Sequence, residues 1–322
     1  MNPGAREVRK HSEQEGAVRK RSKPHQPRYR SREKWKDFLC VLPAIVFFVI
    51  FVYYPIVDLF RISFTNWNLI RDDYNYVGIK NYKWLFTGSG LPMLLKSLRI
   101  TFTYTFWEIA LTLGGGMALA ALFSRESKAF SAMRTIVFMP KYIAVATSAV
   151  VFSWILNDQY GILNYALGLF GIAPVSWLTS EKSALASVLI LTGWRVMGYG
   201  MIIYLSAMKS ISPTYYEAAK LDGANAWQRF RYITLPLISP TTLFLFVTTF
   251  IASMKVFQSV DVMTNGGPYE STNVIVYWIY ELAFVQFRVD RAAAVACLFF
   301  LILLAFTAAT MKVSNRNVHY DS

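Results

Sequence analysis

Residues 212–236 read SPTYYEAAKLDGANAWQRFRYITLP, a polar, amphipathic insert between two long apolar runs. Ser212 before Pro213 has the form of a helix N-cap with proline at the first helical position. Tyr216, Ala219 and Lys220 share a helical face. Asp222-Gly223 is a helix-stop and turn signal. Trp227, Phe230 and Arg231 recur at three- and four-residue intervals, which predicts a second short helix over 225–232. Pro236 then opens the next apolar run, at a place where its missing N–H costs little. The stretch therefore predicts helix, tight turn and helix at a membrane interface.

The whole chain supports a membrane setting. It has 322 residues, 55% of them hydrophobic and only 16% charged, against roughly 25% charged in soluble domains. The net charge of +14 raises the question of nucleic acid, but 12 Lys/Arg lie in the first 37 residues. This segment reads as a largely disordered cytoplasmic tail that anchors topology, so no nucleic-acid partner is expected. The apolar run after it exceeds a signal-peptide core and has no A-x-A site behind it, so it is expected to remain as the first membrane helix. Cys40 and Cys297 fall inside apolar runs and read as small packing residues.

A spanning helix needs ~20 apolar residues. Six runs qualify, at about 38–60, 97–123, 135–156, 184–208, 235–257 and 292–311, and predict an all-α, polytopic membrane protein with six transmembrane helices. Gly114-Gly115-Gly116 is a small-residue patch suited to close helix packing. With the N-terminus placed inside, the inner segments hold 21 Lys/Arg and the outer loops 7. The tail supplies much of that excess, but it adjoins the first helix, which usually sets orientation. Both termini and the 212–236 loop then face the cytoplasm.

In that loop Glu217-Ala218-Ala219, Gly223, Ile233 and Leu235-Pro236 match the EAA loop of ABC importer permeases at every fixed position. Val77-Gly78-Ile79-Lys80-Asn81-Tyr82 with Leu85-Phe86 resembles a segment of the sugar permeases. So does Asn265-Gly266-Gly267-Pro268 followed by Thr272, Ile279-Tyr280 and Ala283-Phe284; Gly161, Asn164 and Trp177-Leu178 fit the same template. Together these make the chain resemble a permease subunit of a binding-protein-dependent, type I carbohydrate importer in a bacterial cytoplasmic (inner) membrane. The resemblance implies several partners: a second, non-identical permease, a cytoplasmic ABC ATPase dimer, an extracytoplasmic substrate-binding protein, membrane lipid and a sugar. It also implies four segments: the tail 1–37, a first helix and outer loop 38–95, a transmembrane domain 96–311, and a C-terminal tail 312–322.

For coupling, the resemblance implies that Glu217, Ala218, Ala219, Asp222 and Gly223 dock to the ATPase. The two alanines permit close approach, Gly223 permits a backbone angle that side chains resist, and Glu217 can pair with a partner cation. Asp222 serves equally as an ordinary turn residue. For substrate, the family binds sugar near the bilayer midplane, between the helices that flank this loop. Arg195 and Tyr199 share a face on the first of these, and Thr249 and Ser253 on the second. Tyr199, Trp194 and Phe250 offer rings for a sugar face; Thr249 and Ser253 serve equally as helix-to-helix bonds.

Glu108, Lys141, Arg195 and Lys255 interrupt apolar runs, where a mid-bilayer charge costs at least ~2.5–3.5 kcal/mol. Such residues face a cavity or a partner. Three of the four are cationic, which suggests an anionic sugar, held above all by the planar fork of Arg195. Internal pairing with Glu108 and snorkelling of Lys141 and Lys255 stay open, as do a neutral sugar and a sugar or glycerol phosphate. No catalytic or metal-binding constellation exists: His11, His25 and His319 lie in the polar tails, and no GxxxxGK[ST] loop occurs. ATP and Mg are expected only on a partner ATPase. A channel or secondary transporter working without an ATPase is the competing class, and the EAA loop speaks against it.

Overall fold

The computed structural model describes residues 31–70 and 73–317. The histidines, most of the basic tail and residues 318–322 lie outside this range. Among the described residues the chain is helical, with no strand beyond a single bridge between Thr65 and Tyr76. Among the described residues, those up to 57 and those from 58 on form separate units.

The first long apolar helix, α1, covers Asp37–Ser63. A short helix α2, Lys80–Thr87, precedes α3, Leu91–Leu122. Helices α4, Lys128–Tyr142, and α5, Val145–Ile155, follow, and then α6, Ile162–Leu169, and α7, Ala184–Ser210. The polar loop supplies α8, Pro213–Leu221, and α9, Ala226–Leu237, which leads into α10, Ser239–Met254. Two short helices, α11 (Gln258–Thr264) and α12 (Ile275–Val285), come before α13, Val289–Asn317.

By length and composition four helices can cross a membrane, and six spans result if each of two bent pairs counts as one. The run expected as one rod over 135–156 is instead α4 and α5, bent by 103°. Pro140 sits in a tight turn before the break, and Ile143 is extended, with ψ 135°. The run expected over 235–257 begins earlier, at α9, bends by 62° into α10 and stops at Met254. Sequence hydropathy registers neither bend, because an apolar residue reads the same in a straight or a broken helix.

Three apolar clusters hold residues 58–317 together, and α3 enters all of them, through Leu94, Tyr104 and Ala120. Helix α7 joins the second cluster through Val188 and Leu191 and the third through Met201 and Leu205. Glycines let α3 and α7 touch backbone to backbone. A Cβ built on Gly116 would lie 2.8 Å from the Gly200 backbone, and one on Gly200 would meet the Thr112 carbonyl. Gly115 rests against Met197, whereas Gly114 has open space around it, so only part of the triplet serves close packing.

The motifs of the loops expected outside are latches. Asn81 is buried, and its Nδ2 donates to the Ser63 and Thr65 carbonyls at 2.9 and 2.8 Å. Asn164 Nδ2 donates to the Val175 carbonyl at 2.9 Å, while its Oδ1 accepts from Val175 N and from the Trp177 indole. Thr272, fully buried, donates to the Gly267 carbonyl at 2.8 Å. Each amide or hydroxyl satisfies carbonyls that a loop would otherwise leave unpaired.

Replacing Gly200 by Leu is expected to destabilise the protein by at least the ~1–3 kcal/mol of core overpacking, because the obstacle is backbone. Gly114→Ala should leave stability unchanged. Thermal unfolding in detergent checks both.

Candidate functional site

Polar residues of α3 and α7 line a cavity of about 470 Å³. Glu108 from α3, Lys141 from the end of α4, Arg195 from α7 and Lys255, just past α10, all line it. A smaller annex of about 180 Å³ shares Glu108 and Lys141 with it and adds Tyr199, Thr248 and Thr249. The structure thus brings all four intramembrane ionisable residues to one space.

One helix break and one helix end build this site. Where α4 gives way to α5, the Ile143 carbonyl is freed, and Arg195 Nη2 donates to it at 3.1 Å. Arg195 Nε is buried and has no hydrogen-bond partner. Lys141 Nζ lies 4.6 Å from the centre of the Tyr199 ring, a cation–π arrangement. Lys255 caps the C-terminal end of α10, where the chain turns into α11. Tyr104 and Thr192 close one wall with a 2.8 Å hydroxyl–hydroxyl bond. Among the described residues, none of the four ionisable groups forms an ion pair with another.

Thr249 lines the annex, but two residues expected on the pathway do not reach either space. Ser253 is fully buried and donates to the Phe250 carbonyl at 2.9 Å. Trp194 packs on Phe152 and lines a separate apolar groove with Trp107 and Met197. It follows Gly193 and precedes Arg195, so a 100° step per residue carries it off the cavity face. Gln258 and Ser259, from the start of α11, also line the cavity. Sequence reading missed them, because their helix is too short to register as an apolar run.

The 212–236 loop takes the expected shape. Ser212 caps α8. Gly223, at φ +78°, ends it. Gly223 N donates to the Lys220 carbonyl at 3.1 Å, and Ala224 N to the Ala219 carbonyl at 2.8 Å, the pair of bonds that defines a Schellman stop. Asn225 then starts α9 with a reciprocal capping box to Gln228, at 2.9 and 2.8 Å. The second helix is longer than the expected 225–232, running on through a wide turn at Phe230–Thr234. Tyr216 and Thr234 share a 2.9 Å hydroxyl bond that pins α8 to α9. Glu217, Ala218, Asp222 and Gly223 are exposed and Ala219 is half-buried. Leu221 is 91% exposed, an apolar side chain at the tip with nothing of its own chain over it.

A family model described as "Binding-protein-dependent transport system inner membrane component" matches residues 110–318, which include the polar loop, the helices on either side of it and all of the cavity lining except Tyr104 and Glu108. The chain belongs to this family. A probable ABC transporter permease protein of Pyrococcus horikoshii is 32% identical over 268 residues, covering 83% of this chain and 91% of that protein. The sn-glycerol-3-phosphate transport system permease protein UgpA of Pectobacterium atrosepticum is 28% identical over 293 residues, 90% of this chain and 97% of that one. Among solved structures, the permease resembles a chain of a bacterial ABC transporter involved in the import of the acidic polysaccharide alginate. The TM-score is 0.79 at 26% identity, covering 89% of this chain and 98% of that chain. A second structure is of an alginate transporter in complex with an alginate pentasaccharide-bound periplasmic protein, and it matches with a TM-score of 0.77 at 27% identity, over 88% and 96% of the two chains. The permease is thus an all-α, multi-pass transport subunit of the ABC importer type.

Removing the hydroxyl by Tyr216→Phe should cost the loop ~0.5–1.5 kcal/mol. Amide exchange within α8 and α9 of the purified permease is expected to speed up, while exchange in α3 stays as it was.

Proposed function

We propose that this permease forms half of the translocation pathway of an ATP-driven, binding-protein-dependent sugar importer, and that the sugar is acidic, such as a uronic-acid oligosaccharide. One observation carries the acidic reading: Lys141, Arg195 and Lys255 face Glu108 across one cavity, and no ion pair neutralises them. A surplus of cations lining one cavity attracts carboxylates, and low-dielectric walls strengthen the attraction. Arg195 offers its fork, Lys255 a mobile ammonium, and Thr249 and Gln258 can bond sugar hydroxyls. The likeness to an alginate importer supports the same reading. The likeness to a glycerol-3-phosphate permease supports a second one, in which the cations take a phosphate.

In this reading the chain catalyses nothing itself. A cytoplasmic ATPase dimer binds ATP and Mg and grips α8 through Glu217, Ala218, Ala219, Asp222 and Gly223. The exposed Leu221 fits an apolar groove on that partner. A second permease completes the pathway, and an extracytoplasmic binding protein delivers the sugar. The termini face the cytoplasm of a bacterial cell, and the segments 1–37, 38–95, 96–311 and 312–322 keep the roles given above.

Uptake by the importer reconstituted with its ATPase and binding protein tests the substrate. Arg195→Ala should raise KM for a trimannuronate by about 10–100-fold, as expected for loss of a ~1.5–3 kcal/mol charged hydrogen bond. Unchanged uptake would remove the acidic reading, and a comparable loss with glycerol 3-phosphate alone would favour the phosphate. A cysteine at Glu217 should react with impermeant reagents only from the cytoplasmic side and cross-link to the ATPase. Labelling from outside, or purification without any ATPase, would point instead to a channel or secondary transporter.

A further inference from the structure

The charged groups of the cavity are held apart by uncharged neighbours. Lys141 rests on the Tyr199 ring, 4.6 Å from its centre. Arg195 is bonded to the Ile143 carbonyl at 3.1 Å. Glu108, only 8% exposed, lines both the main cavity and the annex, and so does Lys141. Tyr199 lines the annex beside them. Opposite charges lining one cavity attract, and the burial of Glu108 strengthens the pull on the more exposed Lys141. Left unrestrained, the flexible four-carbon stem of Lys141 would let its ammonium close onto the carboxylate. One cation would then be lost to any arriving anion. The Tyr199 ring opposes that collapse, because it offers the ammonium a face that attracts it without neutralising it.

We propose that Tyr199 is a positioning residue: it keeps Lys141 off Glu108, so that the ammonium stays free for a carboxylate of the transported sugar. Glu108 is then the resident competitor for that cation. It weakens the hold on an acidic sugar enough for the sugar to leave, as transport requires a site that binds and releases. Tyr199 thus acts on the acidic part of the substrate through Lys141. This inference rests on the reading of the substrate as an acidic sugar.

The test is a double-mutant cycle in the complete importer in proteoliposomes, with KM and kcat read for trimannuronate uptake. Tyr199→Leu should raise KM about tenfold, a size typical of coupled neighbours, with a smaller change in kcat. Tyr199→Phe keeps the ring and should show much less of that rise. Glu108→Gln alone should lower KM and slow turnover. Combined with Glu108→Gln, Tyr199→Leu should leave KM within about threefold of the Glu108→Gln value, because the collapse then has no carboxylate to reach. A Tyr199→Leu rise in KM that is undiminished on the Glu108→Gln background, that is, no rescue, would overturn the proposal, since loss of a sugar contact or of packing does not depend on the carboxylate. Failure of the wild-type importer to take up any uronate would overturn the acidic reading and this inference together, whereas wild-type uptake with no rescue overturns this inference alone.

Discussion

A charge at membrane depth must have a cavity or a partner, and irregular backbone at that depth survives only where it is buried in protein or lines a cavity. The architecture around Arg195 meets both conditions at once. The 103° break between α4 and α5 frees the Ile143 carbonyl, and Arg195 donates to it. A straight helix over 135–156 would have kept that carbonyl for its own chain and left the guanidinium without an acceptor. The end of α10 works the same way, since the turn into α11 places Lys255, Gln258 and Ser259 on the cavity wall. Helix break and intramembrane cation are thus two halves of one arrangement.

Such a cavity needs a rigid frame, and the frame is set by the absence of side chains. Gly116 and Gly200 bring α3 and α7 into backbone contact, and Gly198 gives the same closeness to the Val137 carbonyl of α4. In hydrocarbon the hydrophobic effect does not drive helices together, so dispersion at short range has to do so. Bulkier residues would splay α3, α4 and α7, the three helices that present Glu108, Lys141 and Arg195. Close packing on one side of the site therefore holds open the space on the other.

Much of this was legible in the sequence. The apolar runs gave the spans of α1, α7 and α13 to within a few residues, because hydropathy over ~20 residues is a strong signal, while the other three begin earlier than expected. The cap at Ser212, the stop at Gly223 and the turn between the helices were legible because each depends on local chemistry. The four ionisable residues stood out because their cost in lipid is large. What stayed hidden depends on three-dimensional context. The break at Ile143 leaves no mark beyond one nearby proline. Trp194 looked like a sugar platform by residue type, yet its position on α7 turns it to another groove. Ser253 looked like a pathway hydroxyl, yet its own helix backbone takes it. Hydropathy reports whether a residue tolerates lipid, and it cannot report which side of a helix meets the cavity once that helix is bent.

The same geometry explains why the polar loop and the cavity belong to one device. Arg195 and Tyr199 sit on α7, which ends at Ser210 and passes directly into α8. Thr249 sits on α10, which is reached from α8 through α9 without any long linker. From Tyr199 to Ser210 is about 16 Å of continuous helix at 1.5 Å per residue. The Tyr216–Thr234 bond and the capping box at Asn225 make α8 and α9 one body. Under the proposed coupling, a displacement applied at Glu217 is passed to α7 and α10, helices from which the cavity wall is built. The 62° bend between α9 and α10 is where such a shift can be turned from the membrane surface into the bundle. Cation spacing and force transmission are in this sense a single constraint, because moving α7 against α4 moves Tyr199 against Lys141.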